Sequence, residues 1–418
     1  MVIDTQGLTV RTDAEGTIAA LDRFIDQSLY YGNQAESTIL QALSLDPTCA
    51  IAQAYAAAYY LSQETEIAHR TAINHLKVAQ QYAPIATERE QWYISAISAW
   101  ARGDISEAID LHEAIALHYP QDLISVQQGQ YHYFYRGDAR RLLRIAEKVL
   151  PMNLDSPHLH YLYGMIAFGL EQCGDVNQAM KVGLQAIRLN RADPWAQHAI
   201  AHVLEEQNRP AAGIAWMEKH SDTWEQCNSM LYTHNWWHVA LYYLALGNVE
   251  KVLALYDQHI WGRANSFSSK DQVGAIATLI KLELQGVEVG QRWNAIAPYL
   301  HARLREHRLP FQDLHYVYAL ARAGYTDWVN DLLHSWTSHA QRAAPESRFI
   351  WLQVVLPVAK GLIAHAQGNW TITIAQLQPN LSNLQAIGGS RTQRKLFEQI
   401  YQHAVLQHQS QWQTFKAG

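Results

Sequence analysis

The sequence predicts an all-α array of helix–turn–helix hairpins, and three observations carry that prediction. Turn markers of one kind recur along the chain: Gly103-Asp104, Gly137-Asp138, Gly174-Asp175, Gly247-Asn248 and Gly368-Asn369. The first three stand 34 and 37 residues apart, and the step from Gly174 to Gly247 is 73, close to two more units. Prolines form a second series at Asp46-Pro47, Ala83-Pro84, Tyr119-Pro120, Leu150-Pro151 and Asp193-Pro194, with first intervals of 37 and 36 residues. No polar–apolar alternation persists long enough for a strand.

Each marker has a local cause. Glycine ends the first helix of a hairpin by taking a left-handed conformation, and the Asp or Asn beside it caps the next helix. Proline cannot continue a helix and is expected to stop the second helix of each pair. Between markers, small and large apolar residues recur at helical spacing. Trp92, Ala96, Ala99 and Trp100 are followed by Ala108, Ile115 and Leu117; Leu162, Met165, Ile166 and Gly169 are followed by Ala179, Val182 and Ala186. Alanines let neighbouring helices approach, and the aromatics fill the remaining space. A period of this length belongs to tetratricopeptide-type arrays.

The expected fold is therefore an all-α, tetratricopeptide-like solenoid of about ten helix pairs. First helices are expected near Ala50, Glu88, Leu123, His158, Trp195, Met230, Asp271, Phe311 and Glu346. One continuous solenoid is expected over residues 1–418, regular through 193 and divergent over 194–418. The divergent part carries the site and a capping helix from Thr392 to about His408.

Composition narrows the function. Hydrophobic residues make up 49% and charged residues 17%, a globular balance. Lys and Arg number 32 against 38 Asp and Glu, with no long basic run, so no nucleic-acid partner is expected. Cys49, Cys173 and Cys227 are far apart and odd in number, which predicts a reducing compartment rather than a disulfide scaffold. There is no signal-like start and no uninterrupted apolar run of membrane length. A cytoplasmic protein without a membrane partner is expected; the oligomeric state stays open.

The segment from Gln197 to His238 departs from repeat composition. It carries His198-Ala-Ile-Ala-His202-Val-Leu-Glu205 and then Thr233-His234-Asn235-Trp236-Trp237-His238. Each string places two imidazoles four residues apart, on one face of a helix. In an array, equivalent helices of adjacent units lie side by side, so these side chains are expected to converge. Imidazoles with a carboxylate bind divalent metals, supply acid–base chemistry or hold a polar ligand. The alternative, ordinary buried histidines each bonded to a backbone carbonyl or a neighbouring acid, stays open. Ala199 stands where a zincin would carry Glu, which excludes that metalloprotease motif.

Further candidates lie downstream. Asp257 closes the helix after the Trp–His string. Asp313 reads as a helix cap, which leaves His315 as the inward residue of its unit. Ser390 and Arg394 lie in and beside a Gly388-Gly389 loop at the start of the last helix, where an anion can dock. No residue suggests covalent catalysis by Ser or Cys.

Together these strings resemble the tetratricopeptide repeat protein 38 family. The resemblance runs through Ala99-Trp100-Ala101-x-Gly103-Asp104, His118-Tyr-Pro120-x-Asp122, the two His strings, Ala240-Leu241, Tyr256-Asp257, Asp313-x-His315 and Gly388-Gly389-Ser390-x-x-Gln393-Arg394. It covers nearly the whole chain, and Asn235-Trp236-Trp237-His238 is its most specific element. It implies a cytoplasmic helical-repeat protein with no established reaction. Arg391 and Lys395 depart from it, standing where a His and an acid are usual.

The leading expectation is a pocket for a small polar ligand or short peptide. His198, His202, His234, Asn235 and His238 would bond the ligand, Trp236 or Trp237 would stack on it, and Glu205 would orient an imidazole. His315, Ser390 and Arg394 complete the ligand-binding set. The alternative is an enzyme in which His202, His234 and His238 hold a divalent metal for hydrolysis or oxygen activation. Its catalytic candidates are His202, Glu205, His238, Asp257 and His315.

Overall fold

The computed structural model describes residues 1–14 and 16–417, with the side chains of all of these except Glu346 and residues 414–417. Among the described residues the chain forms an all-α solenoid of paired helices, many of them packed on their successor and on the next but one. The first helices begin at Ala50, Glu88, Leu123, Leu159, Pro194, Ser229, Ser269, Pro310 and Pro345, each within two residues of the predicted start. The last helix runs from Arg391 to Ala417, longer than predicted. A hairpin of two-residue strands, Val2–Ile3 against Thr9–Val10, precedes the first helix. No sequence alternation marked it, because two-residue strands are too short to show one.

The Gly–Asp/Asn series does what its chemistry requires. Gly103, Gly137, Gly174, Gly247 and Gly368 all have φ between 69° and 87°. The side chains of Asp104, Asp138, Asp175, Asn248 and Asn369 each accept a backbone N–H in the first turn of the following helix. The proline series is mixed. Pro84 and Pro151 sit in 3₁₀ turns that end helices. Pro194 instead opens the helix Pro194–Glu206, with Asp193 as its cap. Its missing N–H is harmless there, because the first-turn amides have no intrahelical partner.

The chain divides into two compact units, residues 1–134 with 138–242, and residues 135–137 with 243–418. In the first, a continuous apolar core joins Phe24, Tyr55, Tyr93, Leu142, Leu162 and Ala199. Close packing there depends on absent side chains: a Cβ on Gly169 would lie 2.8 Å from the Leu143 Cα. Backbone cannot yield as a side-chain tip does. Gly169→Val is expected to lower stability by about 1–3 kcal/mol, read as a lower urea midpoint at unchanged slope.

In the second unit, Ser347–Ala366 is long and apolar enough to cross a membrane by length and composition. Arg348 and Lys360 interrupt it, so it holds no unbroken apolar run of membrane length. More than half of it is buried within the unit, as in a core helix.

Candidate metal centre

Three helices build the site, and the residues they contribute all belong to the first unit. Leu159–Gln172 supplies Phe168 and Glu171, Pro194–Glu206 supplies His198, His202 and Glu205, and Ser229–Ala245 supplies His234, Asn235, Trp237 and His238. The first two helices pack directly on each other. The four-residue spacing puts each imidazole pair on one helix face, and the packing turns the two pairs toward one another.

One nitrogen from each of His198, His202, His234 and His238 lies within 4.8 Å of the other three. The His198 Nε2 is 3.0 Å from the Nε2 of His202 and 3.0 Å from that of His234. The His238 ring sits 4.6 Å from that of His202 and 5.0 Å from that of His198. His198, His202 and His238 are buried and His234 is half-buried.

Carboxylates stand behind two of the rings. Glu205 Oε2 is 3.5 Å from the Nδ1 of His238, and Glu171 Oε2 is 3.8 Å from the Nδ1 of His202. Glu171 is fully buried, while the Glu205 side chain keeps 22% of its exposure. Trp237 stacks on His234 at 5.1 Å, and Phe168 packs against His198 and His202. Trp236 turns away and meets Trp224 edge-on at 5.3 Å.

Burial favours the neutral form of His198, His234 and His238. It pushes His238 down to about 3 and holds His198 and His234 well below the usual histidine range. For His198 the three neighbouring imidazoles add to the effect of burial. Neutral imidazole is the form that ligates metal.

Hydrogen bonding around the rings is incomplete. Asn235 is fully buried, and neither its Oδ1 nor its Nδ2 has a hydrogen-bond partner among the described residues. The same holds for Trp237 Nε1, His198 Nδ1 and both ring nitrogens of His238. A buried polar group left so costs about 1–3 kcal/mol.

The remaining candidates belong to the second unit, and each is engaged locally. Asp257 forms a two-pronged ion pair with Arg292. The His315 Nδ1 donates to the Phe311 carbonyl at 2.7 Å, and its ring packs on Phe311 and Phe397. Ser390 caps the last helix, its Oγ accepting from the Gln393 amide while the Gln393 side chain accepts from the Ser390 amide. Arg394 donates to the Gly389 carbonyl.

Asp313 is not the expected cap. Leu309 holds the cap position, and the Asp313 carboxylate accepts from His307 and Trp336 instead. Burial raises Asp313, against the lowering effect of those two donors. Glu171 and His307 were not singled out in the sequence. Glu171 lies 27 residues before His198, and no local spacing connects it to the His strings.

No family model matches the sequence. Among solved structures, the human IFIT1 dimer with m7Gppp-AAAA is 13% identical, with a TM-score of 0.42, covering 97% of this chain and 96% of that one. A monomeric IFIT1 mutant with Gppp-AAAA is 15% identical, with a TM-score of 0.41, covering 89% and 85%. Naa15/Naa10 bound to HypK-THB is 12% identical, with a TM-score of 0.27, covering 88% and 62%.

These matches correct one expectation. The expectation of no nucleic-acid partner, drawn from the charge balance, is withdrawn against these matches, which include IFIT1 with Gppp-AAAA, PPP-AAAA and m7Gppp-AAAA. At TM-scores below 0.5 these matches assign no ligand to this chain. On its own helices and turns, the chain is an all-α helical-repeat protein of tetratricopeptide-like architecture.

Proposed function

We propose that this chain binds one divalent metal ion through His198, His202, His234 and His238, and that metal-dependent hydrolysis or oxygen activation is its function. The observation that carries this reading is the convergence of four imidazole nitrogens within 4.8 Å. Tetrahedral ligands about 2.0–2.1 Å from zinc lie about 3.3 Å apart, so the two 3.0 Å contacts already have the needed scale. Without a cation, the His198 Nε2 faces two other Nε2 atoms and donates to at most one of them. A cation engages every lone pair at once.

The outer groups support the same reading. A metal-bound imidazole usually donates its second N–H to a carboxylate, which fixes the ring and raises its basicity. Glu205 behind His238 and Glu171 behind His202 stand where that role needs them. Imidazole sets favour zinc, copper, iron or nickel over magnesium or calcium. An ion of this kind would activate water or polarise a carbonyl or phosphoryl oxygen only at a position beyond the four imidazoles, reached by expansion to five ligands or by release of one ring. The unpartnered amide of Asn235 is suited to holding a water or oxyanion at such a centre.

The pocket reading gives way on geometry. Imidazoles turned toward each other at 3.0 Å leave room for an ion, not for an organic ligand between them. Assignment to the tetratricopeptide repeat protein 38 family belongs to the same proposal, since its most specific string, Asn235-Trp236-Trp237-His238, falls on this centre. The three free thiols, Cys49, Cys173 and Cys227, suit a reducing compartment.

Elemental analysis of protein made without a polyhistidine tag tests the reading. About one transition-metal ion per chain is expected, falling below about a tenth in His198→Ala and His238→Ala. Cobalt added to stripped protein should give the visible bands of a tetrahedral site. Wild-type protein that takes up neither cobalt nor zinc, while a polar small molecule quenches its Trp fluorescence, would restore the pocket reading.

A further inference from the structure

The second unit holds a hydrogen-bonded chain that the sequence did not suggest. His307 stands just before the helix Pro310–Arg322, buried, with a left-handed backbone at φ 47°. Its Nδ1 is 2.7 Å from the Asp313 Oδ2, and its Nε2 is 2.7 Å from the Ser335 Oγ. Asp313 is buried, and its Oδ2 also accepts the Trp336 Nε1–H at 2.5 Å. Ser335 is half-buried on the helix Thr326–Arg342.

We propose that Ser335 is a nucleophile activated by His307, with Asp313 as the positioning carboxylate, acting on small activated esters. The order of contacts is what such chemistry needs. A carboxylate on Nδ1 fixes the tautomer with the proton on that nitrogen, which leaves the Nε2 lone pair to accept the serine O–H. Trp336 pins the carboxylate from a second direction. His339 and Trp351 pack on the imidazole at 5.3 and 5.8 Å and hold the ring.

Ser335 also departs from what its helix would make it do. A mid-helix Ser or Thr usually bonds the carbonyl four residues back. Thr337 and Ser338 of the same helix do so, to Leu333 and His334. Ser335 is instead directed at His307. The left-handed backbone of His307 is a sparsely populated state that persists where surrounding contacts over-determine it, as they do here.

The reaction balances without another reagent. The Ser335 Oγ attacks the ester carbonyl carbon as its proton passes to the His307 Nε2. The C–O bond to the leaving group breaks, and that proton leaves with the alcohol. Water then attacks the acyl-serine, giving its proton to His307, and the carboxylic acid departs as Ser335 regains its hydrogen. Interior amides of an α-helix are committed to their own carbonyls, so the helix of Ser335 offers little to a developing oxyanion. The substrates are therefore esters with good leaving groups, aryl or enol esters, and not amides.

A fluorophosphonate probe, followed by peptide mapping on the full chain, tests the proposal. Labelling of Ser335 is expected, absent in Ser335→Ala and at least about 100-fold slower in His307→Gln. Asp313→Asn should slow labelling and move its pH midpoint, whereas a purely structural role would move only the melting temperature. Ser335→Cys gives an independent reading. The thiol introduced there, beside His307, should react with iodoacetamide at pH 6 at least about tenfold faster than the exposed Cys173 of the same chain. No labelling of wild type above Ser335→Ala overturns the proposal, and so does a Ser335→Cys thiol that reacts no faster than Cys173.

Discussion

Lowering the pH from 7 to 5 is expected to remove on the order of 4–5 kcal/mol of folding stability, summed over the two compact units, before most carboxylates titrate. The cause is buried neutral histidine outside the metal centre. Burial pushes His112 down to about 3, His315 to about 4 and His365 to about 3. All three are buried. An unfolded histidine titrates near 6.5, so between that pH and the folded value the unfolded chain binds more protons. Stability is therefore complete above about pH 6.5 and is lost as the pH falls toward the folded values.

Each imidazole contributes about 1.4 kcal/mol per pH unit, or about 2 kcal/mol at pH 5, and the three together about 6. Asp4 works in the opposite direction. Burial holds it up to about 6, so protonation favours the folded state and returns about 1 kcal/mol over the same range. Raised Asp313 has the same sign. Urea titrations at pH 7, 6 and 5 check the balance. Because the chain has two compact units, His112→Leu should flatten the pH dependence of the transition of residues 1–134 and 138–242 alone. Equal stability at pH 7 and 5 would mean that these rings are hydrated or protonated in the fold.

The second large effect is on metal-dependent stability. Zinc or cobalt at about 100 times its dissociation constant should stabilise stripped protein by about 2.7 kcal/mol. For a unit of this size that corresponds to roughly 5–10 °C in melting temperature. His198→Ala should abolish the increment, because its Nε2 contacts two other ligands. Glu205→Gln, weakening affinity by about 10–100-fold, should cut the increment to about 0.4–1.4 kcal/mol at the same metal concentration, since it acts behind His238. A wild-type melting temperature indifferent to every transition metal would sink the assignment. An increment that survives His198→Ala would place the ion elsewhere.

Much of this protein was legible because its governing interactions are short in sequence. Helix starts fell within two residues of expectation, since the glycine that ends one helix and the Asp or Asn that caps the next act through their nearest amides. The imidazole pairs were legible for the same reason: four residues is about one helical turn. Longer connections were not. Glu171 behind His202, Arg292 on Asp257, and Ser335 at the end of the His307–Asp313 chain each join residues far apart in sequence.

Asp313 shows the limit most plainly. By sequence it is a helix cap; in the fold its carboxylate is claimed by His307 and Trp336, and Leu309 takes the cap position without a side-chain bond. The sequence by itself determined where helices begin, where they stop and which faces carry imidazole. Only the tertiary structure decided which of those faces meet and which carboxylate stands behind each ring. Capping and periodicity act within a turn or two, whereas the register between packed helices is set by how their side chains interdigitate along the whole contact.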